Sequence, residues 1–153
     1  MTYIYIITYL YIHSSINQKE GEYISLILRN IQSVKNQKKI FNVKHYCIFD
    51  GINRLNEILK FIKGPNTLIF NSRFNHADYG DYIRKLGTRI SVCNKVNAIG
   101  FLDADNTFES NHFETILETH LRTKKNIIIT KRRFLDKNDN ILNINDEKFF
   151  DTN

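Results

Sequence analysis

Short apolar runs alternate with segments of helical periodicity along this chain, and that alternation restricts its possible folds more than any other feature. Five runs have the length of a strand and lack polar alternation: Tyr3–Thr8, His45–Phe49, Thr67–Phe70, Ala98–Leu102 and Asn126–Thr130. Continuous apolar strands are typical of parallel sheets, in which both faces are covered. The pattern therefore predicts a three-layer α/β domain, whose mainly parallel sheet holds Ala98–Leu102 in its interior.

The segments between these runs carry apolar residues at three- and four-residue steps, which is the period of a helix. Four helices are predicted, at residues 24–34, 52–62, 81–94 and 113–121. The second ends at Gly64-Pro65, because proline cannot continue a helix. Further along, an Asn- and Asp-rich tetrapeptide separates Arg133–Asp136 from Ile141–Leu142, which favours a C-terminal hairpin.

Composition and length are those of a globular protein with one core. The chain has 153 residues, of which 42% are hydrophobic and 25% charged, so a single domain over residues 1–153 is expected. Cys47 and Cys93 lack metal-ligand spacing, and we expect reduced thiols and a cytoplasmic location. The apolar run Tyr3–Ile12 is too short to span a bilayer and lacks the flanks of a signal peptide, so no transmembrane segment is expected.

The net charge of +6 raises the question of an anionic partner. Basic residues are scattered among acidic ones, and no strand interleaves basic and aromatic side chains, so nucleic acid is not an expected partner. Lys131, Arg132 and Arg133 form the tight basic cluster, directly after an apolar run. A solvated strand end is the favoured interpretation of this cluster, and contact with a phosphate or peripheral association with a membrane surface stays open.

Two carboxylates follow the buried run Ala98–Leu102. Asp103 and Asp105, one residue apart, are placed by that strand at the carboxyl edge of a parallel sheet, where ligands of open α/β folds bind. Like charges about 4 Å apart repel by roughly 4 kcal/mol at an effective dielectric near 20, and a divalent cation converts that repulsion into attraction. Mg²⁺ or Mn²⁺ is expected, because hard cations prefer carboxylate oxygens. The alternative is a polar turn with Asp103 as a capping acid.

At these residues the chain resembles a known family. The stretch Ile99–Leu117 is similar to the metal-binding segment of family 2 glycosyltransferases, inverting enzymes of the GT-A fold that use nucleotide-diphosphate sugars. Other segments resemble further parts of that family in order: Ile6–Tyr9 its first strand and donor loop, Ile31–Gln37 the Ser-Val-x-x-Gln end of its first helix, Tyr46–Gly51 its second strand, and Gly80–Gly87 the segment before the metal motif. Two departures are that Ile7 replaces the usual proline and Phe49 replaces one of two usual acids.

The resemblance implies roles for the matching polar residues. Asp105 would hold Mn²⁺ or Mg²⁺, and Asp103 would share the metal or contact ribose. The donor-binding residues implied are Thr8, Tyr9, Asp50, Arg84 and Asp103. For Asp50 and Arg84, a strand-end turn acid and an exposed helix arginine remain open. The partners implied are a nucleotide-diphosphate sugar as donor and a saccharide, lipid or protein as acceptor.

Inverting transfer also requires a general base, which family members supply from the half of the domain after the metal motif. Few residues follow it here, so we expect the donor-binding part of an enzyme that is incomplete at its C-terminus. Asp146, Glu147 and Asp151 are possible acids, but their spacing selects none. Among the histidines, His76 lies in a polar loop and is expected to be solvated.

Two other functions stay open. Phe101–Thr107 also fits the first motif of haloacid-dehalogenase-like phosphatases, in which the first aspartate is the nucleophile. Those enzymes place the motif on their first strand and need a later acidic pair, which is not visible here. The other alternative is a non-catalytic remnant that keeps the fold and binds nucleotides without turnover.

Overall fold

The computed structural model describes residues 2–10, 20–37, 41–51, 59–60, 66–76, 78, 80–136 and 140–142. In chain order its elements are β1 (Thr2–Leu10), α1 (Glu20–Lys35), β2 (Phe41–Phe49), β3 (Thr67–Asn71), α2 (Asp81–Cys93), β4 (Ala98–Asp103), α3 (His112–Thr123), β5 (Phe134–Leu135) and β6 (Ile141–Leu142). Of the helix predicted over 52–62, Leu59 and Lys60 are described and are helical; the rest lies outside the described residues. No helix in these ranges is long and apolar enough to cross a membrane.

Strands β1 to β4 form one parallel sheet in the order β3-β2-β1-β4. The register sets Phe49 of β2 beside Leu10 of β1, and Asp103 of β4 beside Tyr9. The carboxyl ends of these three strands therefore meet at one edge. The strand order reverses between β1 and β4, and in open α/β sheets the crevice outside such a reversal is where ligands bind.

Two apolar clusters lie on opposite faces of β2, because alternate side chains of a strand point to opposite faces. On one face, Cys47 and Phe49 pack with Ile27 and Ile31 of α1. The other face carries Tyr46 and Ile48 with Ile83 of α2, against which Leu86, Ile90 and Ile99 also pack. Helices therefore lie on both faces of the sheet and cover β2 on each, which confirms the predicted three-layer α/β fold.

The chain divides into two compact units, Met1–Thr115 and Ile116–Asn153. The first contains the whole parallel sheet with α1 and α2. In the second, β5 and β6 pair antiparallel, with Phe134 opposite Leu142, which confirms the predicted hairpin. Asp136 closes that hairpin by accepting hydrogen bonds from the backbone and side-chain amides of Asn140 at 2.9 and 3.0 Å. The expectations of one domain and of an incomplete C-terminus stay predictions.

The predicted fifth strand, Asn126–Thr130, is wrong. Residues 127–133 form neither helix nor strand, and Ile127 and Ile129 are 81% and 78% exposed. β-Branched residues favour a strand only where a neighbouring strand and a packed face receive them. No strand in the described ranges pairs with this run, so its apolar composition alone does not make it a strand.

The predicted interior position of Ala98–Leu102 is also wrong. This run forms β4, which pairs with β1 alone among the described strands and so lies at a sheet edge. Its Phe101 side chain is 50% exposed, whereas residues 45–49 of the central β2 are all buried. The expected cover on both faces thus holds for β2 and fails at β3 and β4. The physical reason is that β3 and β4 are the two outer strands of the described sheet, so each has a neighbouring strand on one side alone.

Candidate functional site

The carboxyl edge of the sheet brings together the strand ends that the sequence singled out. Asp50 directly follows β2, and Asp103 is the last residue of β4. Both strands flank β1, and the register offsets Asp50 from Asp103 by two residues, so their backbones lie roughly 12 Å apart. Thr8 and Tyr9 lie between them near the end of β1, beside Leu102 and Asp103; their side chains lie outside the described parts of the structure.

Arg84 of α2 contacts Asp103 directly. Its Nη2 donates to Asp103 Oδ1 at 2.9 Å, and its Nη1 lies 3.7 Å from Asp81 Oδ1 one helical turn earlier. The Arg84 side chain is 34% exposed and that of Asp103 49% exposed. An ion pair this open to water contributes at most about 1 kcal/mol to stability. Both charges therefore remain accessible to a ligand, and their proximity at the sheet edge is the predicted one.

The first turn of α2 fixes where Arg84 lies. The carboxylate of Asp78 accepts hydrogen bonds from the backbone N–H groups of Gly80 at 3.1 Å and Tyr82 at 2.8 Å. Gly80 has φ of 89°, a left-handed conformation that glycine adopts without strain. An open groove of about 450 Å³ runs along this helix and is lined by Asp81, Arg84, Lys85, Thr88 and Arg89. An anion therefore has access to Arg84 from solvent.

The turn after β4 presents the two candidate metal ligands. Asp103 and Asp105 are exposed, while Ala104 between them is 8% exposed and packs into the core on the α1 side. One small buried residue thus separates two solvent-facing carboxylates. That is the arrangement in which a hard cation takes one or two protein oxygens and completes its shell with water and substrate phosphates. The oxygens of these two carboxylates are of the kind that Mg²⁺ and Mn²⁺ prefer. The described residues contain no cluster of three or more His, Cys, Asp or Glu able to hold a metal, so the metal site stays a prediction.

Asn30 of α1 fixes the backbone of this turn. Its side-chain amide donates to the carbonyl oxygens of Asp103 at 2.8 Å and Asn106 at 3.0 Å, and Asn30 is completely buried. The Asn106 N–H closes the same turn onto Asp103 O at 3.0 Å. A single side chain therefore ties both ends of the turn that carries Asp105 to the first helix.

Two further polar residues, one on α1 and one just after its end, hold the segment that follows. Ser33 Oγ accepts from the N–H of Phe108 at 3.1 Å. Gln37 Nε2 donates to Glu109 O at 2.7 Å, and Gln37 Oε1 accepts from the N–H of Phe113 at 3.2 Å. These are the serine and glutamine of the Ser-Val-x-x-Gln segment. The structure gives that pattern a physical meaning, because the two side chains satisfy backbone groups of the loop between β4 and α3.

Asp50 is not presented to solvent. Its Oδ1 accepts from Ser72 Oγ at 3.0 Å and lies 2.6 Å from His76 Nδ1, and its Oδ2 accepts from the His76 N–H at 3.0 Å. The Asp50 side chain is fully buried. The His76 ring stacks on Tyr82 at a centroid distance of 3.7 Å. Asp50 therefore anchors the loop after β3, and the expectation that His76 is simply solvated is wrong.

Gly51 allows this loop to approach the end of β2. Its φ is 69°, and a Cβ at this position would lie 2.4 Å from the Asn75 backbone nitrogen and 2.6 Å from the Phe74 carbonyl carbon. No side chain fits there without moving backbone. The close approach explains how Asp50 reaches the N–H of His76.

Two ionisable residues of β2 are excluded from the chemistry. Burial, with Lys35 as a smaller contribution, lowers the pKa of His45 to about 3, and burial raises the pKa of the Cys47 thiol to about 12. Both side chains are therefore neutral near pH 7, and a protonated buried thiol is a poor nucleophile. The possible base residues Asp146, Glu147 and Asp151 lie outside the described residues.

Comparison with known proteins adds the fold relationship. No family model and no curated protein matches the chain. A crystal structure of S. aureus TarS 1–349 matches with a TM-score of 0.53 and 13% identity, over 80% of this chain and 33% of that chain. A second crystal structure of S. aureus TarS matches with a TM-score of 0.54 and 15% identity, over 81% of this chain and 20% of that chain. TarS is a glycosyltransferase. The fold of this chain is similar to that of these two TarS structures.

At these identities the likeness shows the fold alone. The chain spans about a third of one TarS chain and about a fifth of the other, so the activity of TarS is not carried over with the fold. Asn30 and His76 are the site residues that sequence reasoning did not select. The available signal for Asn30 was a polar residue on the otherwise apolar face of α1, in phase with Ser33 and Gln37 at steps of three and four.

Proposed function

We propose that this chain is the donor-binding part of a metal-dependent, inverting glycosyltransferase that uses a nucleotide-diphosphate sugar. The observation that carries this proposal is the pair of exposed carboxylates, Asp103 and Asp105, beside Arg84 at the edge where the strand order reverses. A glycosyltransferase-like fold and a groove open to Arg84 support it. No observation favours the phosphatase alternative over this one.

In the proposed reaction an acceptor hydroxyl attacks the anomeric carbon of the donor. The new glycosidic bond forms as the bond from that carbon to the β-phosphate oxygen breaks, and the hydroxyl proton passes to a base. A cation bound at Asp105 supplies stabilisation of the negative charge on the departing diphosphate. The guanidinium of Arg84 adds two parallel N–H donors that suit phosphate oxygens.

We assign Asp103 a mixed role. It accepts a hydrogen bond from Arg84 and so orients the guanidinium, and its second oxygen is directed to the metal or to ribose. The proposed part of Asp50 is indirect, because Ser72 and His76 occupy its carboxylate oxygens. His76 and its stacked partner Tyr82 are then the groups that Asp50 positions at the nucleoside end of the site.

The test is binding of nucleoside diphosphates to the purified chain by calorimetry, with and without Mn²⁺. Asp105→Asn keeps the size of the side chain but removes the charge that a hard cation requires, so Mn²⁺-dependent affinity should fall by more than about 100-fold. Arg84→Lys should weaken binding in the presence of metal, because an ammonium does not reproduce the two parallel donors.

Glu118→Gln is the matched control, since it removes one exposed carboxylate from α3 and should leave binding unchanged. Unchanged Mn²⁺-dependent binding in Asp105→Asn would remove the metal role from this residue. Donor hydrolysis or sugar transfer by the same preparation, measured as released nucleotide and glycosylated product, separates an enzyme from a non-catalytic nucleotide-binding remnant.

A further inference from the structure

One short segment of this chain combines a high density of positive charge with exposed apolar side chains. Residues 121–135, the basic-apolar segment, contain no acidic residue and six basic ones: Arg122, Lys124, Lys125, Lys131, Arg132 and Arg133. Because the chain has 22 basic and 16 acidic residues, the remainder carries 16 of each and is neutral overall. All six side chains are exposed. The segment thus carries a net charge of +6 over 15 residues, a denser run of cations than residues 23–49, where five basic residues and no acidic one are spread over 27 positions.

Large apolar side chains are exposed between these cations. Ile127 and Ile129 are 81% and 78% exposed, and Leu121 at the end of α3 is 55% exposed. Isoleucine is among the residues most often buried in soluble proteins, so two neighbouring exposed isoleucines indicate a surface that is covered by a partner. Lys124, which directly follows α3, has a φ of 56° and begins the irregular segment that contains the two isoleucines.

We propose that the basic-apolar segment docks on an anionic lipid surface. Its cations are complementary to lipid phosphates, and its isoleucines gain from entering the boundary between headgroups and acyl chains. Nucleic acid is complementary to the cations as well, but the exposed isoleucines gain nothing on a phosphate backbone. A membrane surface is the partner that uses both features. This docking does not depend on the proposed sugar transfer.

The experiment is flotation of the full chain with vesicles of phosphatidylcholine alone and of phosphatidylcholine mixed with phosphatidylglycerol. We expect binding to the anionic vesicles, weakened by added salt, and little to the neutral ones. The triple variant Lys131→Gln, Arg132→Gln, Arg133→Gln should lower the partition coefficient by about fivefold per residue, roughly 100-fold in all. Ile127→Asn with Ile129→Asn should lower it at least about tenfold.

A charge-matched control replaces three exposed lysines elsewhere, Lys35, Lys60 and Lys95, by Gln and should retain most of the binding. An equal loss in that control would show a general charge effect and overturn the assignment. The other contradicting outcomes are equal binding to both vesicle types, tight binding to single-stranded RNA without vesicle binding, and a change of oligomeric state in the isoleucine variant without vesicle binding. The last would mean that the isoleucines bury against a second copy.

Discussion

Asp50 and Asp103 each lie where a strand of the same parallel sheet ends, at the same edge, yet their surroundings differ in every respect. Asp50 is fully buried, and its two oxygens receive contacts from Ser72 and His76. Asp103 is half exposed, with Arg84 on one oxygen. The first carboxylate holds protein backbone in place, and the second faces the space where a ligand would bind.

This difference shows that the position of an acid at the end of a strand does not by itself establish that the acid binds a ligand. What decides its role is the partner that occupies its oxygens, and that partner comes from elsewhere in the chain. For Asp50 it is a loop 22 to 26 residues away, brought close because Gly51 leaves room for its backbone. The comparison therefore predicts that Asp50 acts mainly on stability and Asp103 mainly on binding.

The largest effect on stability should come from Asp50→Ala. Removing a buried carboxylate whose partners include a ring and a backbone N–H leaves those groups without their acceptor, which costs about 3 to 5 kcal/mol in the free energy of unfolding. Urea denaturation followed by circular dichroism measures it. A loss below about 1 kcal/mol would show that the buried contacts of Asp50 do not hold the loop after β3.

Asn30→Ala should have the next largest effect. It removes two hydrogen bonds to the carbonyls of Asp103 and Asn106, which corresponds to about 2 to 3 kcal/mol once the loss of their partner is included. Because the turn that carries Asp105 would be less well fixed, Mn²⁺-dependent nucleotide binding should also weaken by about tenfold.

Asn36→Ala serves as its control, since Asn36 lies exposed just after the same helix and should change stability by less than about 0.5 kcal/mol. If Asn30→Ala lowers stability while leaving Mn²⁺-dependent affinity untouched, then Asn30 supports the fold without positioning the carboxylates.

Most elements of the fold were predictable because each is encoded locally. The four parallel strands, the helices α1, α2 and α3, and the hairpin all follow from apolar periodicity and turn residues. The predictions that failed concerned which strands lie next to one another in the sheet. Within the described part of the chain, the run Asn126–Thr130 has strand composition but pairs with no strand, and β4 lies at an edge instead of inside the sheet. Apolar composition reports that a segment favours burial and does not report what will cover it.

The candidate site was likewise predictable where a feature is encoded locally and unpredictable where it depends on distant residues. The meeting of Arg84 and Asp103 was predictable, because both belong to segments whose resemblance to a known family implied it. The partnership of Asp50 with His76 was not, since it depends on how a loop folds back over Gly51. Asn30 was missed for a similar reason. Its polar side chain on the inner face of α1 was a visible signal, but its targets, backbone carbonyls 73 and 76 residues away, could not be read from side-chain patterns.

The pH dependence of stability should report another buried ionisable group, His45 of β2, the strand that Asp50 directly follows. Burial lowers the pKa of His45 to about 3 from 6.5. The unfolded chain therefore binds a proton at His45 more readily, so the stability present above pH 6.5 is lost as the pH falls toward 3, by about 2 kcal/mol at pH 5. An NMR titration of the His45 ring checks the cause directly, and a midpoint near 6.5 would contradict it.

The smallest effect on stability is expected for Asp103→Asn, and this variant tests the comparison most sharply. The ion pair that it removes is open to water on both sides, so the free energy of unfolding should change by less than about 1 kcal/mol.

Mn²⁺-dependent binding of a nucleoside diphosphate should nevertheless fall by about tenfold, because one of the two carboxylates facing the cation has lost its charge. Without metal, affinity should stay the same or rise, since Arg84 has one anionic partner fewer while Asp81 stays 3.7 Å away. Calorimetric titrations with and without Mn²⁺ separate the loss of Mn²⁺-dependent affinity from the change in metal-free affinity. A variant that unfolds easily, or that loses affinity equally in both titrations, would place Asp103 with Asp50 among the residues that hold the structure together.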